Sequence, residues 1–259
     1  MIKMVKHRCL FLIFLFACVT GISFSQSNDS TKVVSHFGGS FTLTNKGVSS
    51  IPNLTLGKPA AIIFLSMGRK LAFEPEFRIA MEGKPWMLIF WGRYDLLNTD
   101  KFFIRSRINT SLVFKTIPVV YDGVTIMTMA ASRTFTADLS TNYFLSKNIS
   151  IGPYYMYVYG IEKNAIKHTH FLALRATFSS IKLSDQLYMR FVPQIYYLRI
   201  GKYDGFYSNA TLTLAKRNFP FSVSTLISKT INTKIPIGEN FLWNLNLIYT
   251  FNKNYTEKR

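Results

Sequence analysis

The sequence predicts an all-β chain folded as an antiparallel transmembrane β-barrel of about 12 strands. From His36 onward, apolar and polar residues alternate with a period of two almost everywhere. The alternating segments are each near the length that crosses a bilayer at a tilt, and their number is even. The connections between them alternate between long and short, as an up-and-down barrel with loops at one end and tight turns at the other requires.

Composition supports interleaving over continuous greasy runs. Hydrophobic residues make up 48% of the 259 residues and aromatic residues 15%, yet mean hydropathy is only +0.14. A helical membrane protein needs runs of about 20 apolar residues, and the chain beyond its start has none. The one long run, "CLFLIFLFACVTGI", follows Lys3, Lys6 and Arg8 and precedes "SFSQS". Basic, apolar and small residues in that order predict a secretory signal peptide over residues 1–25, cleaved near Ser25 or Gln26. The run is short for a transmembrane anchor, and bulky Phe16 disfavours Cys18 as a lipid-modified residue. Residues 26–33 read as a polar periplasmic linker.

Both cysteines, Cys9 and Cys18, fall within the leader, so the exported chain is expected to have no disulfide. The formal charge of +18 loses three with the leader and stays strongly positive. Export argues against nucleic acid; outer-membrane lipid, lipopolysaccharide and small anionic solutes are the expected partners.

The predicted strands, in order, are 34–44, 60–68, 71–81, 86–97, 102–114, 127–146, 148–160, 168–182, 186–200, 205–216, 219–232 and 240–251. The barrel thus spans 34–252, with 253–259 as a C-terminal tail. The sixth segment is long enough to project past the membrane or to break near Ser132. Alternate links from the first hairpin are "NKGVSSIPNLTLGKP", "EGK", "KTIPVVYDGVT", "IEKNAIKH", "GKYDG" and "KIPIGE"; those between, "GRK", "LNTDK", "SKN", "LSD" and "KRN", form a uniformly short set. The short set and both termini are expected on the periplasmic side. Pro75, Pro153 and Pro193 lie inside strands, where a residue without an N–H implies a bulge or a misdrawn strand.

Each segment has a greasy and a polar face. Phe73, Pro75, Phe77, Ile79 and Met81 oppose Glu74, Glu76, Arg78 and Ala80. Aromatic residues gather at strand ends, as in Trp86, Trp91 and Tyr94, which suits interfacial girdles. The last segment, "FLWNLNLIYTF" at 241–251, places Phe241, Trp243, Leu245, Leu247, Tyr249 and Phe251 on one face. It resembles the terminal strand of Gram-negative outer-membrane β-barrel proteins, with Asn252 to Arg259 following Phe251. That resemblance, porin-like and extending in pattern over the whole exported chain, implies residence in the outer membrane. It also implies recognition of the last strand by the barrel-assembly machinery.

With polar faces inward, the lumen receives Glu74, Glu76, Arg78, Arg93, Asp95, Arg105, Arg107, Asp138, Arg175, Arg190 and Gln194. Arginine stays charged and offers a fork of donors, so Arg78, Arg93, Arg105, Arg107, Arg175 and Arg190 are candidates to line a path for anions. Glu74, Glu76 and Asp138 would orient the solute or narrow the path. The bland counterpart is an internal salt-bridge network that fills and stabilises a closed barrel, with loops around 45–59 and 115–126 contacting another envelope component. No cofactor or metal is expected: His168 and His170 share a strand face without acidic or thiol partners, which favours an interfacial pair. Some barrels of this class are phospholipases or lipid A deacylases, so His170 with Ser179 or Ser208 is the catalytic alternative.

Overall fold

The computed structural model describes residues 34–52, 54–236 and 238–256; the predicted signal peptide and linker lie outside the described residues. The strands are β1 (Val34–Thr44), β2 (Ala60–Gly68), β3 (Leu71–Ala80), β4 (Pro85–Asn98), β5 (Phe102–Tyr121) and β6 (Val124–Ser146). They continue as β7 (Ile149–Gly160), β8 (His168–Lys182), β9 (Leu187–Ile200), β10 (Tyr203–Lys216), β11 (Phe221–Thr233) and β12 (Phe241–Thr256). Each pairs antiparallel with its sequence neighbours, and β12 pairs with β1 from Val34↔Thr256 to Thr44↔Asn246. The sheet is a closed 12-strand barrel. Residues 253–256, expected as tail, are therefore part of the closing ladder.

Alternation decides which face is which. On β3 Glu74 and Arg78 are buried while Leu71 and Phe73 are exposed; on β12 Asn244 is buried while Trp243 and Leu245 are exposed. The outer wall carries Phe73, Ile108, Leu139, Leu172, Leu174, Ile195, Phe206, Ile227, Trp243 and Leu247, all exposed. An apolar belt this continuous is a lipid-facing surface, and its rims hold tilted aromatic pairs such as Phe102 with Tyr143 and Phe221 with Tyr249.

The long link 115–125 is not a loop. β5 and β6 continue beyond the wall, residues 114–121 pairing only with 124–131, and join through Asp122 and Gly123, whose φ angles are 48° and 76°. Two successive positive φ values make the tight hairpin turn that Asp-Gly favours. The β-branched run before them supplies strand residues, so the strand outlasts the bilayer.

Pro75, Pro153 and Pro193, where a bulge or a misdrawn strand was expected, each lie at a gap in one ladder. β2 and β3 pair at Phe64↔Glu76 and resume in the same register at Met67↔Phe73, flanking Pro75. β6 and β7 do likewise around Pro153, between Ser140↔Tyr154 and Tyr143↔Ile151. β8 and β9 do so around Pro193, between Arg175↔Gln194 and Phe178↔Phe191. Each proline keeps its partners on its other side, as Phe90 for Pro75, Leu174 for Pro153 and Ala210 for Pro193. A missing N–H interrupts one ladder and leaves the other intact. Gly152, next to Pro153, admits the Thr141 carbonyl where a Cβ would stand.

The outward face is testable. Leu174→Lys is expected to destabilise the barrel by roughly 2–4 kcal/mol, the depth-dependent cost of a cation on the lipid face, measured by denaturant unfolding in vesicles. An unchanged midpoint would mean that Leu174 does not face lipid.

Candidate functional site

The lumen is asymmetric. β3 to β9 contribute charged residues, whereas Thr44, Ser66, Ser224, Ser228 and Asn244 supply buried hydroxyls and an amide from β1, β2, β11 and β12. Cross-strand register brings the charges together. Asp95 lies opposite Arg105, and Arg107 lies opposite both Arg93 and Asp138.

The pairs close at short range. Arg93 Nε donates to Glu74 Oε1 at 2.6 Å, and Ser66 Oγ donates to the same oxygen at 3.1 Å. Arg93 also pairs with Asp95, which accepts from Arg105 Nε at 2.6 Å. Arg107 Nη2 donates to Asp138 Oδ2 at 2.6 Å, and the Tyr154 hydroxyl reaches that oxygen at 2.9 Å. The Asp138 side chain is 0% exposed. Arg78 pairs with Glu76 at 2.6 Å.

Two of the six candidate arginines stand apart from this network. Arg175 makes no ion pair among the described residues; its Nη2 donates to Ser140 Oγ at 3.1 Å, and its guanidinium lies 5.2 Å from the Tyr154 ring centre. Arg190, on the inward register of β9 opposite Thr213, makes none either and is exposed. Arg105, Arg107 and Arg175 converge on a lumen cavity of about 320 Å³, completed by Ser50, Ser140, Tyr154, Phe171 and Gln194. Asp95 and Asp138 balance the first two guanidiniums, so Arg175 is the uncompensated charge.

Link 45–59 turns inward. Ile51, 3% exposed, sits in a cluster with Tyr154, Met156, Phe171, Tyr196 and Tyr207. The link is tied near its start by Lys46 Nζ to Glu239 Oε1 at 2.6 Å and closes on itself through Thr55 Oγ1 donating to the Gly47 carbonyl at 2.5 Å. Burying an isoleucine among aromatic rings is favourable inside the barrel and would be lost outside it.

Trp86 and Trp91 also depart from expectation. They are buried, 6% and 4% exposed, and lie inside the wall, not in a girdle. Arg78 lies 5.1 Å from the Trp86 ring centre and Arg107 4.3 Å from that of Trp91. Trp91 shares the inward parity of Arg93, and a register shift between Arg78 and Ile79 carries Trp86 to the same side. Tyr154 was not foreseen, although its place opposite Ser140 and one pair from Asp138 marks it as inward.

The histidines lie on the outer wall. Each Nδ1 meets a tyrosine hydroxyl, His170 with Tyr155 at 2.9 Å and His168 with Tyr157 at 2.8 Å. Ser179 lies nine residues along β8 from His170, about 30 Å at strand rise. Ser208 faces Ile195, which faces Leu174, so neither serine is within hydrogen-bond reach of His170.

No family model matches the sequence, and no curated protein does. Among solved structures, the chain is similar to the KdgM porin, with a TM-score of 0.52 and 6% identity over 83% of this chain and 99% of that one. It is similar to the KdgM porin in complex with disordered oligogalacturonate, at 0.51 and 9% over the same shares. The COG4313 outer membrane channel from Pseudomonas putida F1 matches at 0.48 and 9%, over 84% of this chain and 94% of that one. Identities this low speak to fold alone: the chain has the fold of a Gram-negative outer-membrane β-barrel.

Removing one member of a buried pair exposes the dependence of the site on compensation. Asp138→Ala is expected to cost about 3–5 kcal/mol, because Arg107 and Tyr154 lose their shared acceptor. Asp185→Ala, which breaks the exposed Lys182–Asp185 pair, should change stability by less than about 0.5 kcal/mol. Equal losses in denaturant unfolding would refute the assignment.

Proposed function

We propose that the chain is an outer-membrane pore for small anions, narrowed by link 45–59. The observation that carries this reading is Arg175, a lumen guanidinium with no ion-pair partner among the described residues, on a cavity large enough for a small carboxylate or phosphate. A fixed uncompensated cation in a low-dielectric wall lowers the barrier for anions and raises it for cations. Arg105 and Arg107, held by Asp95 and Asp138, offer their remaining N–H groups to the same space. The likeness in fold to a porin solved with oligogalacturonate, a carboxylate-bearing chain, agrees with this solute class.

The test is reversal potential across a planar bilayer in a potassium chloride gradient. The wild-type barrel should favour chloride, and Arg175→Ala should move the reversal potential towards the cation side. Arg105→Ala and Arg107→Ala should move it too, since each leaves Asp95 or Asp138 uncompensated. A reversal potential unmoved by Arg175→Ala would remove the basis of the proposal.

A second reading, a closed structural barrel, is favoured by the pairing of Arg78, Arg93, Arg105 and Arg107 and by the inward link. Replacing residues 48–55 by a short glycine-serine connection decides between them. The pore reading expects single-channel conductance to rise severalfold; a shortened variant that folds and stays silent supports the closed barrel.

A further inference from the structure

Between link 45–59 and the wall of β4 to β7 lies a second cavity of about 290 Å³. Trp86, Trp91, Ile89, Ile51 and Met156 form its buried apolar lining, each no more than 6% exposed. Its polar lining is mostly satisfied within the protein: Ser111 Oγ and Thr134 Oγ1 bond each other at 2.5 Å. Asn109 is the exception. This residue is 4% exposed, lines the cavity, and its Oδ1 is buried with no hydrogen-bond partner among the described residues. A buried acceptor without a donor is destabilising unless something fills the role, and such groups are rare in native structures.

We propose that this cavity binds a compact, uncharged aromatic molecule bearing a single O–H or N–H donor, which Asn109 Oδ1 accepts. An apolar cavity of about 150 Å³ holds a benzene ring, so the volume here admits one substituted ring or two fused rings. The two indoles supply flat apolar surface, and their orientation is set by Arg78 and Arg107 over the rings. Among the described residues no carboxylate lines the space and the one cationic lining residue, Lys115, is exposed, so a neutral ligand meets no buried counter-charge there. The proposal needs the barrel and its inward link; it does not depend on the anion selectivity of the lumen beyond.

The experiment uses the chain's own fluorophores. It contains three tryptophans, and Trp243 faces outward; Trp243→Phe therefore leaves an emission that comes from the cavity alone. The refolded variant is titrated with 4-nitrophenol, in buffer acidic enough to keep it protonated, and with 4-nitroanisole, the same ring without the donor. Saturable quenching by 4-nitrophenol is expected, with 4-nitroanisole about tenfold weaker, the scale of one hydrogen bond to a buried acceptor. Asn109→Leu should abolish that preference while the barrel remains heat-modifiable. If Asn109→Leu fails to fold, Val158→Phe, which fills the cavity from β7, should abolish saturable quenching by both probes. Equal affinities for the two probes, a preference that survives Asn109→Leu, or purely linear quenching from detergent partitioning would each overturn the proposal.

Discussion

Everything in this barrel depends on one requirement: within a bilayer, each backbone N–H and C=O must find a partner in the chain itself. Closure of β12 onto β1 meets it by leaving no free edge in the lipid-facing wall. Because β12 meets β1 antiparallel in an up-and-down order, the number of strands is even, and the pleat displays one residue in two outward. The prolines show how local departures are contained. Each breaks one ladder for a short stretch, and register holds on both sides of the gap, so the inward and outward sets do not exchange.

Turning polar faces inward moves the electrostatic problem into the lumen. Buried charges are tolerable only with counter-charges and hydrogen bonds, and the register supplies them by setting Asp95 against Arg105 and Asp138 against Arg107. Among the groups that line the two cavities, those left out of the network are Arg175 without a carboxylate and Asn109 Oδ1 without a donor among the described residues. They occupy separate cavities that both touch link 45–59, through Ser50 in one case and Ile51 in the other.

The strands were legible in the sequence because a period of two survives any tertiary arrangement, and because alternating long and short links fix an up-and-down order. The inward parity of the arginines was legible for the same reason, each lying on the polar face of its own strand, as Arg78 does opposite Phe73 and Phe77 on β3. Trp86 and Trp91 were not, because an aromatic residue near a strand end suits a girdle and a lumen alike; only the register shift at Arg78/Ile79 and the arginines over the rings decide. The course of link 45–59 was hidden too. "SSIPN" reads as a surface loop until one sees the hydrophobic hollow that receives Ile51, and that hollow is assembled from residues more than a hundred positions away in β7 to β10. Pairing among the arginines was equally invisible, since it depends on which strands are neighbours.

The uneven distribution of lumen residues gives the barrel a front and a back. Guanidiniums, and the carboxylates that pair with most of them, stand on the β3 to β9 side, leaving Arg175 and Arg190 without an ion pair among the described residues; amides and hydroxyls stand on the β11 to β2 side. The field inside therefore has a component across the bore as well as along it. In the pore we propose, a molecule with separated charge would be turned before it advanced, its negative end towards the unpaired guanidiniums, and would travel in one orientation. Selection by shape would then act on a single silhouette of the solute, a stricter filter than a hole of the same width with its charges spread evenly around the rim.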